Sequence, residues 1–170
     1  MRTLVAGFGN VLRGDDGFGV EVIRRLAEMG QANGDVELMD VGTGGLRLAQ
    51  ELLTVYDRLI IVDAMTRGGA PGSLYVLEVE SVAAASQIDM HLAVPARALS
   101  VAQALGALPR LVLMVGCEPA EVDELITDLS PCVSDAVERA VRTIATMLSS
   151  EWMAGAGVSG MSKMQPGEDR

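Results

Sequence analysis

Three side chains have the types and settings that chemistry needs: Asp16, Asp63 and His91. Asp15 and Asp16 stand in the stretch from Phe8 to Gly19, FGNVLRGDDGFG, directly after an apolar strand. A turn of Gly and Asn, two adjacent carboxylates and a helix opening at Phe18 put acidic groups beyond the strand's carboxyl end. That is the crevice where α/β folds bind ligands. A loop of bare glycine amides there would suit a phosphate; carboxylates repel one, so this loop suits a cation. Asp63 ends a second apolar strand, and His91, the sole histidine, lies in a later loop. If the two strands are neighbours where the winding reverses, their loops diverge around one crevice that His91 can reach from a third loop. Two carboxylates and an imidazole suit a borderline divalent metal such as nickel or zinc, with positions left open for a substrate.

Each residue also has an ordinary reading. Asp15 is read as a turn-former or cap of the first helix, so Asp15→Asn is expected to be mild, about 1 kcal/mol at most. Asp16 is read as functional, because Gly17 and Gly19 keep its surroundings open. At the end of an apolar strand, Asp63 costs desolvation energy unless it has a partner. Only the two aspartates make His91 more than a polar loop residue. Gly7-Phe8-Gly9 with Asp40 imitates a dinucleotide fingerprint, but Leu12 replaces the third glycine. Asp40 also lies over thirty residues from Gly7, against the usual ~20. Nothing marks Cys117 as an activated thiolate. Cys132 is expected to pack near the start of the last helix.

The elements that must position these residues alternate, as in a doubly wound fold. Strands are expected at Thr3–Gly7, Val36–Val41, Arg58–Ala64, Ser73–Val79 and Leu111–Val115, the fourth antiparallel after a short Gly/Pro turn. Helices are expected at Gly19–Met29, Leu46–Leu53, Ala96–Leu105 and Pro131–Leu148, where apolar residues recur at helical spacing. Residues 1–149 form one domain. Residues 150–170 lose all periodicity and are expected to be a disordered tail.

Composition narrows the class. The chain has 170 residues, 49% of them apolar but only 3% aromatic, which suits buried strands of Val, Leu and Ile under helices. Its net charge of -10 argues against nucleic acid and anionic membranes as partners. Two cysteines make no disulfide framework, and neither a signal-peptide layout nor an apolar run long enough for a membrane span is present, so a cytoplasmic location is expected.

Gly7-Phe8-Gly9-Asn10 with Leu12, Asp15-Asp16-Gly17-Phe18-Gly19, Ile61-Val62-Asp63-Ala64, His91, Val115-Gly116-Cys117-Glu118-Pro119 and Leu129-Ser130-Pro131 occur in that order. Over about Met1 to Leu148 this arrangement resembles the hydrogenase maturation proteases. The resemblance implies a hydrolase, an endopeptidase classed as aspartic-type, that removes the C-terminal extension of a [NiFe] hydrogenase large-subunit precursor after nickel insertion. It implies a three-layer α/β/α sandwich, phosphorylase/hydrolase-like, around a five-stranded, mostly parallel twisted sheet with one antiparallel strand. The family's metal-contacting residues fall on Asp16, Asp63 and His91, with Asp16 and Asp63 as catalytic candidates. Nickel then belongs to the substrate, the free enzyme, a monomer, holds no tightly bound metal, and the precursor is the partner. Two routes to cleavage stay open: metal polarisation of the carbonyl or a water, or an aspartate acting as general base. The family also uses Glu where Asp16 stands, and the residues after Ser149 match nothing in it. The competing classes are a non-catalytic nickel-checking chaperone and a nucleotide-binding α/β enzyme.

Overall fold

The computed structural model describes residues 1–79, 93–122, 125–149 and 162–163. His91 and most of the 150–170 segment therefore lie outside the described residues. The elements run β1 (Thr3–Phe8), α1 (Phe18–Glu28), β2 (Val36–Gly42), α2 (Gly45–Glu51), β3 (Arg58–Ala64), β4 (Leu74–Glu78), α3 (Ala93–Ala104), β5 (Leu111–Cys117), α4 (Pro131–Leu148) and the two-residue β6 (Ser162–Lys163). A 3-10 turn, Gly14–Gly17, leads into α1.

The sheet order is β2-β1-β3-β5-β4-β6. β2, β1, β3 and β5 run parallel, and β4 pairs antiparallel with β5. The expected antiparallel strand is thus present, with β5 inserted between it and β3. Ser162 and Lys163 add a short parallel pairing on the outer side of β4. From β1 the chain steps out to β2, then returns past β1 to β3, so the winding reverses between β1 and β3.

Successive residues of the central strands feed opposite faces, as the pleat requires. Leu4, Ala6 and Phe8 of β1 and Leu59 and Ile61 of β3 pack with Leu48 of α2 and Ala98, Leu99 and Ala102 of α3. Val5, Ile60 and Val62 pack on the other face, with Val22, Ile23 and Leu26 of α1 and Val133, Val137, Val141 and Ile144 of α4. The result is the three-layer α/β/α sandwich. At the sheet's far end Arg58, 2% exposed, donates to Thr3 Oγ1 at 3.2 Å and to the Met147 carbonyl in the last turn of α4 at 2.8 Å.

Two features fix the loop between β1 and α1. The first is close approach of backbones. A Cβ on Gly19 would lie 2.3 Å from the Val62 carbonyl oxygen and 2.4 Å from that of Phe8, so the first turn of α1 rests directly on β1 and β3. Gly9, with φ +127°, would meet the Asp16 carbonyl oxygen at 1.8 Å if it carried a Cβ. The second is a buried carboxylate. Asp15 is 1% exposed. Its Oδ1 accepts from the Ser130 amide at 2.7 Å, and its Oδ2 from the amides of Ala120 (2.8 Å) and Glu121 (3.1 Å) and from the Ser130 hydroxyl (2.9 Å).

This corrects the reading of Asp15. The N-cap of α1 is Gly17, and no side chain bonds to that cap. Asp15 instead ties the Asp-Asp loop to the segment between β5 and α4, more than a hundred residues away.

Glu118, 4% exposed, does the same work for the loop after β3. Its carboxylate accepts from the amides of Arg67 (2.8 Å) and Gly68 (3.1 Å) and from the Tyr75 hydroxyl (2.6 Å). Burial pushes its pKa up, but the donated hydrogen bonds outweigh burial and hold the carboxyl below the ordinary carboxylate value.

Two stability predictions follow from these contacts. Asp15→Asn turns an acceptor-only group into one whose amide nitrogen faces backbone N–H donors. It should cost about 2–3 kcal/mol, well above the loss of a cap, measured by denaturant unfolding. A change within about 0.5 kcal/mol, the range of an ordinary surface substitution, would contradict the anchoring role. Gly19→Ala sets a helix-propensity gain of ~1 kcal/mol against a clash with two strand carbonyls. Overpacking against unyielding backbone costs about 3 kcal/mol or more, so the variant should be destabilised; a raised melting temperature would contradict the contact.

Candidate active site

The loops after β1 and β3 diverge at the carboxyl end of the sheet and leave a cleft of about 170 Å³ between them. Phe8, Gly9, Asp16, Gly42, Thr43, Asp63 and Val94 line it. Two of the three sequence-selected residues, Asp16 and Asp63, therefore share one site. The third, His91, is outside the described residues, but Val94, three positions on, reaches the cleft from the start of α3.

Asp16 is half-buried at the end of the 3-10 turn. Its Oδ2 accepts the Asn10 amide at 2.9 Å, and Asn10 Oδ1 accepts the Leu12 amide at 3.0 Å, so the Gly-Asn turn orients the carboxylate directly. Asp63 sits next to last in β3, opposite Gly116 of β5, and is 3% exposed. Among the described residues every fully buried side-chain nitrogen or oxygen has a hydrogen-bond partner, and neither Asp16 nor Asp63 is without a partner. The rest of the lining is glycine, threonine, phenylalanine and valine. Two carboxylates at one mouth form a hard, anionic donor pair, fit to contact a divalent cation or to accept a proton from water.

The neighbouring candidates separate from the cleft. Asp40 is exposed and does not line it, and the missing Cβ atoms of Gly7 and Gly19 are used by helix–strand contact rather than by a phosphate. Cys117 is fully buried, and burial, with the Asp15 charge behind it, pushes its thiol up to about 12. A thiol so poorly ionised is no nucleophile at neutral pH. Cys132 is half-buried in the first turn of α4, its sulfur 3.3 Å from Ser130 Oγ.

Sequence reasoning missed four contributors. Thr43 and Gly42 enter the cleft because β2 ends beside β1; the Thr-Gly-Gly turn signals a loop but not its destination. Val94 arrives on an element too distant in sequence to be assigned. Glu118 resembled part of a motif, but its long-range hydrogen bonds left no trace in local pattern.

The chain matches the hydrogenase maturation protease family over residues 20–147. It is 32% identical over 151 residues to the hydrogenase 2 maturation protease of Escherichia coli K12, covering 87% of this chain and 91% of that one. The hydrogenase expression/formation protein HupD of Rhodobacter capsulatus is 34% identical over 143 residues, which span 82% of this chain and 68% of that protein. Among solved structures, the hydrogenase maturating endopeptidase HybD of E. coli superposes with a TM-score of 0.74 at 32% identity, covering 86% of this chain and 92% of that one. The [NiFe] hydrogenase maturation protease HybD of Thermococcus kodakarensis superposes with a TM-score of 0.75 at 28% identity, over 88% and 100% of the two chains. With its fold and its sequence in agreement, the chain belongs to the hydrogenase maturation protease family, and it is a peptidase.

Proposed function

We propose that this peptidase removes the C-terminal extension of a [NiFe] hydrogenase large-subunit precursor, using the precursor's own nickel as the feature it recognises. The observation that carries the reading is the meeting of Asp16 and Asp63 in one cleft where the sheet's winding reverses. Support comes from the family and from the names of its members; the thermococcal protein is itself a [NiFe] hydrogenase maturation protease.

The two carboxylates, with His91 as third ligand, would contact the nickel that the precursor brings. A precursor without metal would present nothing for this donor set and would be held poorly, so metal insertion is checked before cleavage. The Asn10 amide fixes the orientation of Asp16 for that contact. For hydrolysis, Asp16 or Asp63 can take a proton from the attacking water through the carboxylate oxygen it does not offer to the metal, which would give the reaction an aspartic character. The substrate's metal can polarise the scissile carbonyl in the same cleft.

Asp16→Asn, Asp63→Asn and His91→Ala should each lower processing of nickel-loaded precursor by roughly a hundredfold or more. Far-UV circular dichroism and melting curves should show the fold retained. Full activity in Asp63→Asn would overturn the shared acidic site.

The free enzyme should hold no stoichiometric metal after dialysis against a chelator. Added nickel should bind, and bind more weakly in Asp16→Asn, as read by titration calorimetry. Zinc retained at one equivalent through dialysis would instead mark an ordinary metallopeptidase.

A further inference from the structure

Next to the acidic cleft, and sharing Thr43 and Val94 with it, runs a second and larger groove of about 560 Å³. It lies between α2 and α3, floored by Ala49 and Ala98 and flanked by Leu46, Val94 and Val101, with Arg97 the only charged side chain of its lining among the described residues. Its volume falls within the ~300–1,000 Å³ of ligand clefts. Leu46 is 68% exposed, Val94 38% and Val101 37%, so apolar surface stays open to solvent here, and among the described residues nothing covers it.

The groove's shape has a local cause. A Cβ on Gly45 would stand 3.0 Å from the Val94 carbonyl oxygen, so the starts of α2 and α3 touch at the end nearest the cleft. The groove therefore adjoins the cleft of the acidic pair at Thr43 and Val94, which line both.

We infer that this groove binds the segment of the substrate polypeptide that flanks the scissile bond, an apolar stretch bearing a carboxylate that meets Arg97. The inference rests on the processing reading above. A polypeptide whose metal-bearing part sits against Asp16 and Asp63 must leave the cleft across its rim. One exit passes Asn10, Val11 and Asp40, a shallower depression with an acidic residue in it. The other passes Thr43 and Val94 into the apolar groove. Among the described residues, only the second of these offers both apolar burial, which drives peptide association, and a cation to fix register. In a chain of net charge -10, one arginine in a groove that is otherwise uncharged among the described residues selects a segment that carries an acid there.

The test uses the full-length protein and purified nickel-loaded large-subunit precursor. A photoreactive benzoylphenylalanine is placed at Val101 in the groove or, in a second protein, at Val11 on the other exit. Illumination should join the Val101 protein to the precursor near its cleavage site, mapped by mass spectrometry. In parallel, Arg97→Glu and Val101→Glu should raise KM roughly tenfold with kcat little changed, as for lost substrate binding, while Arg97→Lys keeps the native KM. Circular dichroism controls for folding. Adducts from Val11 alone, or unchanged KM in both glutamate variants, would overturn the groove assignment and leave the processing reading standing. Failure of the unmodified protein to cleave the precursor would overturn the processing reading, and the cross-links would still decide whether the precursor lies in the groove.

Discussion

The site depends on a buried negative charge that does not belong to it. Asp15 gathers three backbone amides and one hydroxyl from the segment between β5 and α4 around a single carboxylate. Charge-assisted hydrogen bonds of this kind offset the desolvation of a buried carboxylate, which would otherwise be costly. The result is a tie between the loop after β1 and a distant part of the chain. Asp16, one residue on, inherits its position from that tie and from the Asn10 amide. Close contact of α1 with β1 and β3 through Gly7 and Gly19 then leaves the helix start nowhere else to go. An adjacent pair of aspartates is thereby divided in labour, one facing inward to hold the loop and one facing the cleft.

The same division recurs across the cleft. Asp63 lies near the end of β3, and the chain that leaves β3 is held by Glu118, which follows β5. Each cleft acid is thus positioned by a separate buried acid on, or bonded to, its own loop. A site built on the ends of central strands is stiff because the strands are. Here the loops carry the same stiffness, supplied by carboxylates saturated with donors.

Periodic features were readable from the chain, and contacts closed over long sequence distances were not. The run Leu59-Ile60-Ile61-Val62 could be read as a buried strand because such strands are continuously apolar, and β3 matches its expected bounds. α4 likewise matches at both ends, with Pro131 in its first turn. Neighbouring of β1 and β3 is the arrangement expected of a doubly wound fold, so the meeting of Asp16 and Asp63 was legible in the sequence. Asp15 was misread because local pattern offers only local partners to an Asp before a helix. Its real partners lie beyond residue 119 and obey no short-range rule. β5 runs two residues further than expected, through Gly116 and Cys117, because a strand flanked on both sides by others is extended by its neighbours' ladders whatever its own propensities.

Two demands that conflict in one residue are met by two here. A carboxylate that contacts a cation must keep lone pairs toward the cleft, and one that anchors a loop must spend them on amides. Replacing the pair by a single acid would force one function to yield to the other. Spacing them apart would lose the rigid transfer of position from anchor to ligand, since intervening residues add free dihedral angles. Adjacent placement in a 3-10 turn solves the geometry, because consecutive side chains there project in directions about 120° apart at three residues per turn. Asp15 can therefore point into the protein while Asp16 points out of it, with one peptide unit between them. The Gly-Asp-Asp-Gly sequence is the shortest arrangement that meets both demands, and its glycines admit the close backbone contacts on either side.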